Sequence, residues 1–163
     1  SEQFKLTGDM ITIEGKADCD CVIDDRAIKM VFDNLIDNAK KYSTGEVRIN
    51  VKLKDQFRKI IITFSDKGIG IPQSQLKNVF NKFHRIYNSK IPNVKGTGLG
   101  LYWVKEILRF HGGKITVTSE GENSGTTFRI ELPVYQSTEG GITKRLLKRT
   151  EKRLAKNAKI DDE

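Results

Sequence analysis

Apolar residues recur along this chain with two different periods, and the changes of period mark out its elements. Residues 4–13 read as extended, with Ile11 and Ile13 alternating against polar neighbours. Ile28, Val31, Phe32, Leu35, Ile36 and Ala39 then fall three and four apart, the stripe of an amphipathic helix. Asp24 or Asp25 is placed to cap its start, and Ser43-Thr44-Gly45 to end it. Alternation returns at Val47, Ile49, Val51 and Leu53, set against Arg48, Asn50 and Lys52, which predicts a strand with one covered face. The run Ile60-Ile61-Ile62-Thr63-Phe64 predicts a more central strand. It ends at Ser65-Asp66-Lys67-Gly68, so the Asp66 carboxylate stands where strand gives way to loop.

Residues 66–100 are rich in glycine and proline, with a short helix expected over residues 73–83 and a mobile segment over 88–95. Leu101, Val104, Ile107, Leu108 and His111 define a second helix, stopped by Gly112-Gly113. Strands over 114–119 and 126–132 pair around the turn at 120–124, and Pro133 closes the sheet. This order of elements predicts a mixed sheet with helices on one face. Residues 1–135 form the domain. Residues 136–163 form a basic tail, read equally as a weak helix or as disordered chain.

The 163 residues suit one domain, and 37% hydrophobic content supplies a core. No apolar run approaches the roughly 20 residues of a membrane helix, and the start lacks the form of a signal peptide. The first residue is not methionine, so the chain reads as a piece of a longer protein. A formal charge of +8 raises nucleic acid as a partner. Eight Lys or Arg and five acids in the tail account for +3 of it, however, and the remaining +5 is dispersed. Dispersed charge describes a solvated surface or an aid to an anionic ligand, so no nucleic-acid partner is expected. Cys19 and Cys21, with His84 and His111, offer no zinc-ligand spacing, and the thiols fit a reducing cytoplasm.

Three clusters carry chemistry. On the first helix, Asn34 and Asn38 lie one turn apart beside the apolar stripe. Their amide oxygens suit a hard cation that also holds phosphate, although such asparagines also serve simply to bond backbone. In Asp66-Lys67-Gly68-Ile69-Gly70-Ile71-Pro72, a carboxylate at a strand end can accept an exocyclic amine such as adenine presents, and glycines let backbone approach a flat ring. The alternative is an aspartate-capped turn. Gly96-Thr97-Gly98-Leu99-Gly100-Leu101 opens the second helix, where free amides make an anion site. It is neither a dinucleotide fingerprint nor a P-loop, because Leu101 stands where the first needs glycine and no Gly-Lys-Ser/Thr follows.

In this order the clusters resemble the Bergerat-fold ATP-binding domain and, within it, the sensor histidine kinases. The likeness runs from about Phe4 to Pro133. It includes Asn-Leu-x-x-Asn-Ala-x-Lys-Tyr at 34–42, Asp-x-Gly-x-Gly-Ile at 66–71, and Val79-Phe80-x-x-Phe83-x-Arg85. Gly-Thr-Gly-Leu-Gly-Leu at 96–101 and Gly125-Thr126-Thr127-Phe128 before Leu132-Pro133 complete it. The resemblance implies an α+β two-layer sandwich: a mixed, mainly antiparallel sheet of about five strands covered on one face by about three helices. It implies ATP and Mg²⁺ as cofactors, with Asn38 as metal ligand and Asn34 supporting metal or phosphate. Lys41 would meet phosphate, Tyr42 would lie against the nucleotide, and Asp66 would receive the adenine amine with Thr127 nearby. Gly68, Gly70 and Ile71 would border the base. Gly96, Thr97, Gly98, Leu99, Gly100 and Leu101 would shape the phosphate end. Residues 88–95 correspond to the family's ATP lid, and Arg85 would contact the γ-phosphate or dock the histidine domain.

In the gyrase-like and chaperone-like relatives the position held here by Asn34 is a glutamate that activates water. An amide cannot serve as a general base, so ATP should be held for another nucleophile. Neither His84 nor His111 is followed by the acidic residue and Arg-Thr-Pro of the family's phosphoacceptor box, so both read as structural. The resemblance thus implies a cytoplasmic kinase domain whose histidine lies on a dimerisation domain of a membrane-anchored parent, with a response regulator downstream. An anti-sigma-factor serine kinase and a nucleotide-dependent binding module remain the alternatives.

Overall fold

The computed structural model describes residues 10–87 and 96–134. Its elements are β1 (Ile11–Lys16), α1 (Asp25–Lys41), β2 (Ile49–Gln56), β3 (Lys59–Asp66), α2 (Gly100–Phe110), β4 (Lys114–Thr118) and β5 (Thr126–Pro133). They form a five-stranded sheet of order β1-β2-β3-β5-β4. β1 runs parallel to β2, and the other pairs are antiparallel. The mixed sheet expected from the order of elements is therefore present.

Of the two aspartates, Asp24 is the cap of α1: its Oδ1 accepts the amides of Arg26 and Ala27, each at 2.9 Å. That satisfies two of the donors a helix start leaves open. Val31, Leu35 and Ala39 form the buried line of α1. Fully covered, the Leu35 side chain contributes roughly 2 kcal/mol by leaving water. Gly112 (φ +70°) and the Gly113 amide, which donates to Leu108 O at 2.8 Å, close α2 in the left-handed manner that favours glycine. His111 ties the two helices together, with Nδ1 2.7 Å from Ile107 O and Nε2 accepting the Asp24 amide at 3.0 Å.

The pleat sorts the sheet into two faces. Ile60, Ile62 and Phe64 of β3, with Phe128, Ile130 and Leu132 of β5, join Leu35, Val104 and Leu108 of the helices in one core. The other face carries charged pairs such as Lys59–Glu131 (2.6 Å) and Lys52–Glu14 (3.2 Å). Solvated pairs of this kind add little stability.

One element departs from expectation. Among the described residues there are two α-helices, and the stretch 73–83 holds only a 3₁₀ turn at Gln73–Gln75. Its amides donate three residues back: Gln75 to Pro72, Asn78 to Gln75, Asn81 to Asn78. Ser74, Asn78 and Asn81 give little intrinsic drive to an α-helix, and Phe83 leaves the right-handed helical region altogether at φ +60°. What fixes the segment is its contacts, with Val79 buried and Phe80 meeting Phe128 edge-on at 6.5 Å. The expectations for residues 88–95 and for 136–163 lie outside the described residues, as does most of the stretch before β1.

Candidate functional site

A cleft opens between α1, the end of β3, the start of β5 and the segment leading into α2. One end is lined by Asp66, Gly70, Ile71, Thr126 and Phe128, and the other by Asn34, Lys41, Gly96, Thr97 and Gly98. Asn38, Tyr42, Val79, His84, Arg85 and Leu101 line both.

Asp66 ends β3, and its Oδ1 accepts the amides of Gly68 (2.8 Å) and Thr126 (3.2 Å). Oδ2 takes no hydrogen bond among the described residues, so one carboxylate oxygen is committed to backbone and the other is not. Burial pushes the Asp66 carboxyl above the ordinary carboxylate value, and the two amides pull it part of the way back. The loop after Asp66 is held from behind. The Ile71 amide donates to the buried Ser119 hydroxyl at 3.0 Å, and that hydroxyl donates to Gly125 O at 2.7 Å. Gly70 (φ +73°) lies so close to Gly121 O that no side chain fits there. Gly68 fits close to Tyr42 O and to Asp66 itself. Gly70 and Ile71 line the same end of the cleft as Asp66, and Gly68 lies against the Asp66 side chain.

Thr127 does not. It pairs with Ser65, and the two hydroxyls lie 3.0 Å apart on the polar face of the sheet. Its neighbour Thr126 lines the cleft instead and bonds Asp66 through its amide. In a strand adjacent side chains point to opposite faces, so register alone decides which threonine is available.

At the other end, the Asn34 Nδ2 donates to Met30 O at 2.8 Å, and its Oδ1 meets the backbone of Gly100 where a Cβ would otherwise stand. Asn34 therefore seats the start of α2 against α1. The Asn38 side chain makes no hydrogen bond among the described residues. It points into the cleft from the next turn, and its oxygen is a neutral donor of the kind Mg²⁺ takes alongside phosphate oxygens. Lys41 lines the same end and pairs with Asp37 at 3.3 Å. Gly98 (φ +71°) accepts the Phe83 amide at 3.0 Å, and a Cβ on it would lie 2.7 Å from the Phe83 carbonyl carbon. Leu99 precedes α2, and its amide reaches the Thr97 hydroxyl at 3.4 Å. The leading amides of α2 face this end, where an anion is favoured.

Sequence reasoning missed Thr126, Val79, Phe128 and His84 as cleft residues. Val79 and Phe128 carry no polar signal, and a histidine between phenylalanine and arginine has no spacing that marks it.

A family model described as histidine kinase-, DNA gyrase B- and HSP90-like ATPase matches residues 23–136. The chain is 42% identical over 116 residues to the sensor protein RprX of Bacteroides fragilis, a match covering 70% of this chain and 22% of that protein. It is 38% identical over 119 residues to the sensor histidine kinase WalK of Bacillus subtilis, covering 72% and 19%. The chain spans about a fifth of the length of these curated relatives. Among solved structures, a mycobacterial sensor histidine kinase, MprB, has a TM-score of 0.64 at 29% identity, covering 76% of this chain and 82% of that one. The catalytic domain of histidine kinase ThkA has a TM-score of 0.59 at 30% identity, covering 76% and 80%. On these matches, over a fold with a carboxylate at one end of its cleft and the opening of a helix at the other, the chain belongs to the histidine kinase-, DNA gyrase B- and HSP90-like ATPase family, as the ATP-binding catalytic domain of the sensor-histidine-kinase type.

Proposed function

We propose that this domain binds Mg-ATP and transfers the γ-phosphate to a histidine on a helical dimerisation domain of its parent protein, from which a response regulator then takes it. The observation that carries this reading is Asn34. Its amide is bonded to its own helix and packed on Gly100, so the phosphate end has no carboxylate there to activate water. Asp37, the nearby acid, is exposed and paired with Lys41.

In this reading Asp66 Oδ2 accepts the adenine amine while Oδ1 keeps the Gly68 and Thr126 amides, and the Gly68–Ile71 loop lies along the ring. Lys41, Arg85 and the opening of α2 hold the phosphates. Mg²⁺, seated by the Asn38 oxygen, would supply neutralisation of the charge that builds on the transferred group. Phosphoryl transfer asks for positioning and charge stabilisation, and these residues provide both if an imidazole is presented in line.

The test mixes this chain, radiolabelled ATP and the separately expressed histidine-bearing domain. Acid-labile, base-stable label on that domain is expected. Label on serine would instead indicate the anti-sigma-factor branch. Binding without any label would indicate a nucleotide-dependent docking module, and rapid ATP turnover alone would assign the chain to the water-activating relatives.

A further inference from the structure

We propose that His84, a residue the sequence marks only as structural, contacts the nucleotide itself, its Nε2 sharing a hydrogen bond with a ribose hydroxyl. The inference rests on the ATP reading above and adds a specificity-determining residue to that site.

Among the described residues, His84 Nε2 is the one buried side-chain nitrogen or oxygen with no hydrogen-bond partner. An unpaired buried polar atom is costly, so such an atom points to a ligand. Its position says which part of the ligand. His84 stands with Asp66, Gly70 and Phe128 at the base end and with Asn34, Lys41 and Gly98 at the phosphate end. Like the other residues that border both ends, it stands within reach of the sugar that joins base to phosphates, and its ring nitrogen has no bond within the protein.

The backbone sets this orientation. Phe83 adopts φ +60°, and its ring is 71% exposed, while the next side chain lines the cleft. The Phe83 amide is held by Gly98 O at 3.0 Å and the His84 amide by Asn81 O at 3.3 Å. A Cβ at Gly98 would lie 2.9 Å from His84 O, so the glycine is what lets this strained turn close on the cleft. His111 shows the contrast, since both of its ring nitrogens are engaged with backbone.

A ribose hydroxyl fits Nε2 better than a phosphate oxygen does. A hydroxyl both donates and accepts, so either tautomer of the ring can bond it, whereas a phosphate oxygen only accepts. The phosphate end also has its own donors in Lys41, Arg85 and the amides opening α2.

A thermodynamic cycle tests the pair. Calorimetry would compare ADP with 2′-deoxy-ADP and 3′-deoxy-ADP on the unaltered chain and on His84→Phe, which fills similar space without a polar nitrogen. On the unaltered chain one deoxy analogue should bind roughly twofold to tenfold more weakly, the range of one neutral hydrogen bond. On His84→Phe that difference should vanish. The same loss on both proteins, or no loss on the unaltered chain, overturns the proposal. Should His84→Phe not fold, the imidazole ¹⁵N resonances of His84 decide: they should move with ADP and stay with the deoxy analogue, and equal movement overturns the contact. Failure of the unaltered chain to bind any adenine nucleotide would remove the ATP reading as well, so the two failures are distinguishable.

Discussion

Asp66→Asn separates what the carboxylate does for the fold from what it does for the ligand. Oδ1 accepts two backbone amides, at 2.8 and 3.2 Å, and the asparagine carbonyl can take over that position without changing shape. The Thr126 bond ties the end of β3 to the start of β5 and the Gly68 bond closes the turn after β3, so together they decide the orientation of the substituted amide. Its NH₂ then replaces Oδ2 and turns a donor toward the adenine amine, which is itself a donor. The loss is one hydrogen bond to a charged acceptor, about 1.5–3 kcal/mol. That is roughly tenfold to a hundredfold in the dissociation constant. Calorimetry with ADP on both proteins gives the number, and thermal unfolding reports whether the β3–β5 junction survived. Equal ADP affinity in a folded Asp66→Asn protein would refute the assignment of Oδ2 to adenine. Loss of folding instead would mean that the amide bonds, not the ligand, require the charge.

The raised pKa of Asp66 makes nucleotide binding sensitive to acid. Oδ1 is committed to the amides, so a proton adds to Oδ2, and affinity should fall as pH drops through the raised value. Asp66→Asn, titrated in parallel, should lack that step. Stability moves the opposite way: the folded chain holds this proton more tightly than the unfolded one, so its stability declines as pH rises from the ordinary carboxylate value to the raised one. Asn38→Ala should abolish label transfer while shifting stability by no more than about 0.5 kcal/mol, because its side chain bonds to nothing among the described residues. Asp24→Ala removes the cap of α1 and should cost about 1 kcal/mol in denaturant unfolding, with nucleotide affinity unchanged.

Local chemistry determined much of this protein from sequence alone. The three-and-four spacing around Leu35 and Val104, the alternation at Val47–Leu53, an aspartate before α1 and Gly112-Gly113 after α2 each act within a turn or two of chain, and each element formed, with β2 shifted to Ile49–Gln56. Asp66, Asn38 and the glycines at 96–100 stood out for the same reason, being short runs of distinctive residue types, and they line the cleft. Tertiary structure decided the rest. Asp66 pairs with Thr126 across 60 positions, and this register, not composition, puts Thr126 in the cleft and Thr127 on the polar face. Leu76, Val79, Phe80 and Phe83 have helical spacing, yet docking of Val79 and Phe80 on the core and of Phe83 on Gly98 overrides it. The same docking turns His84 inward. Its role depends on a backbone contact between residues 83 and 98, and pairings so distant in sequence leave no periodic trace in either segment.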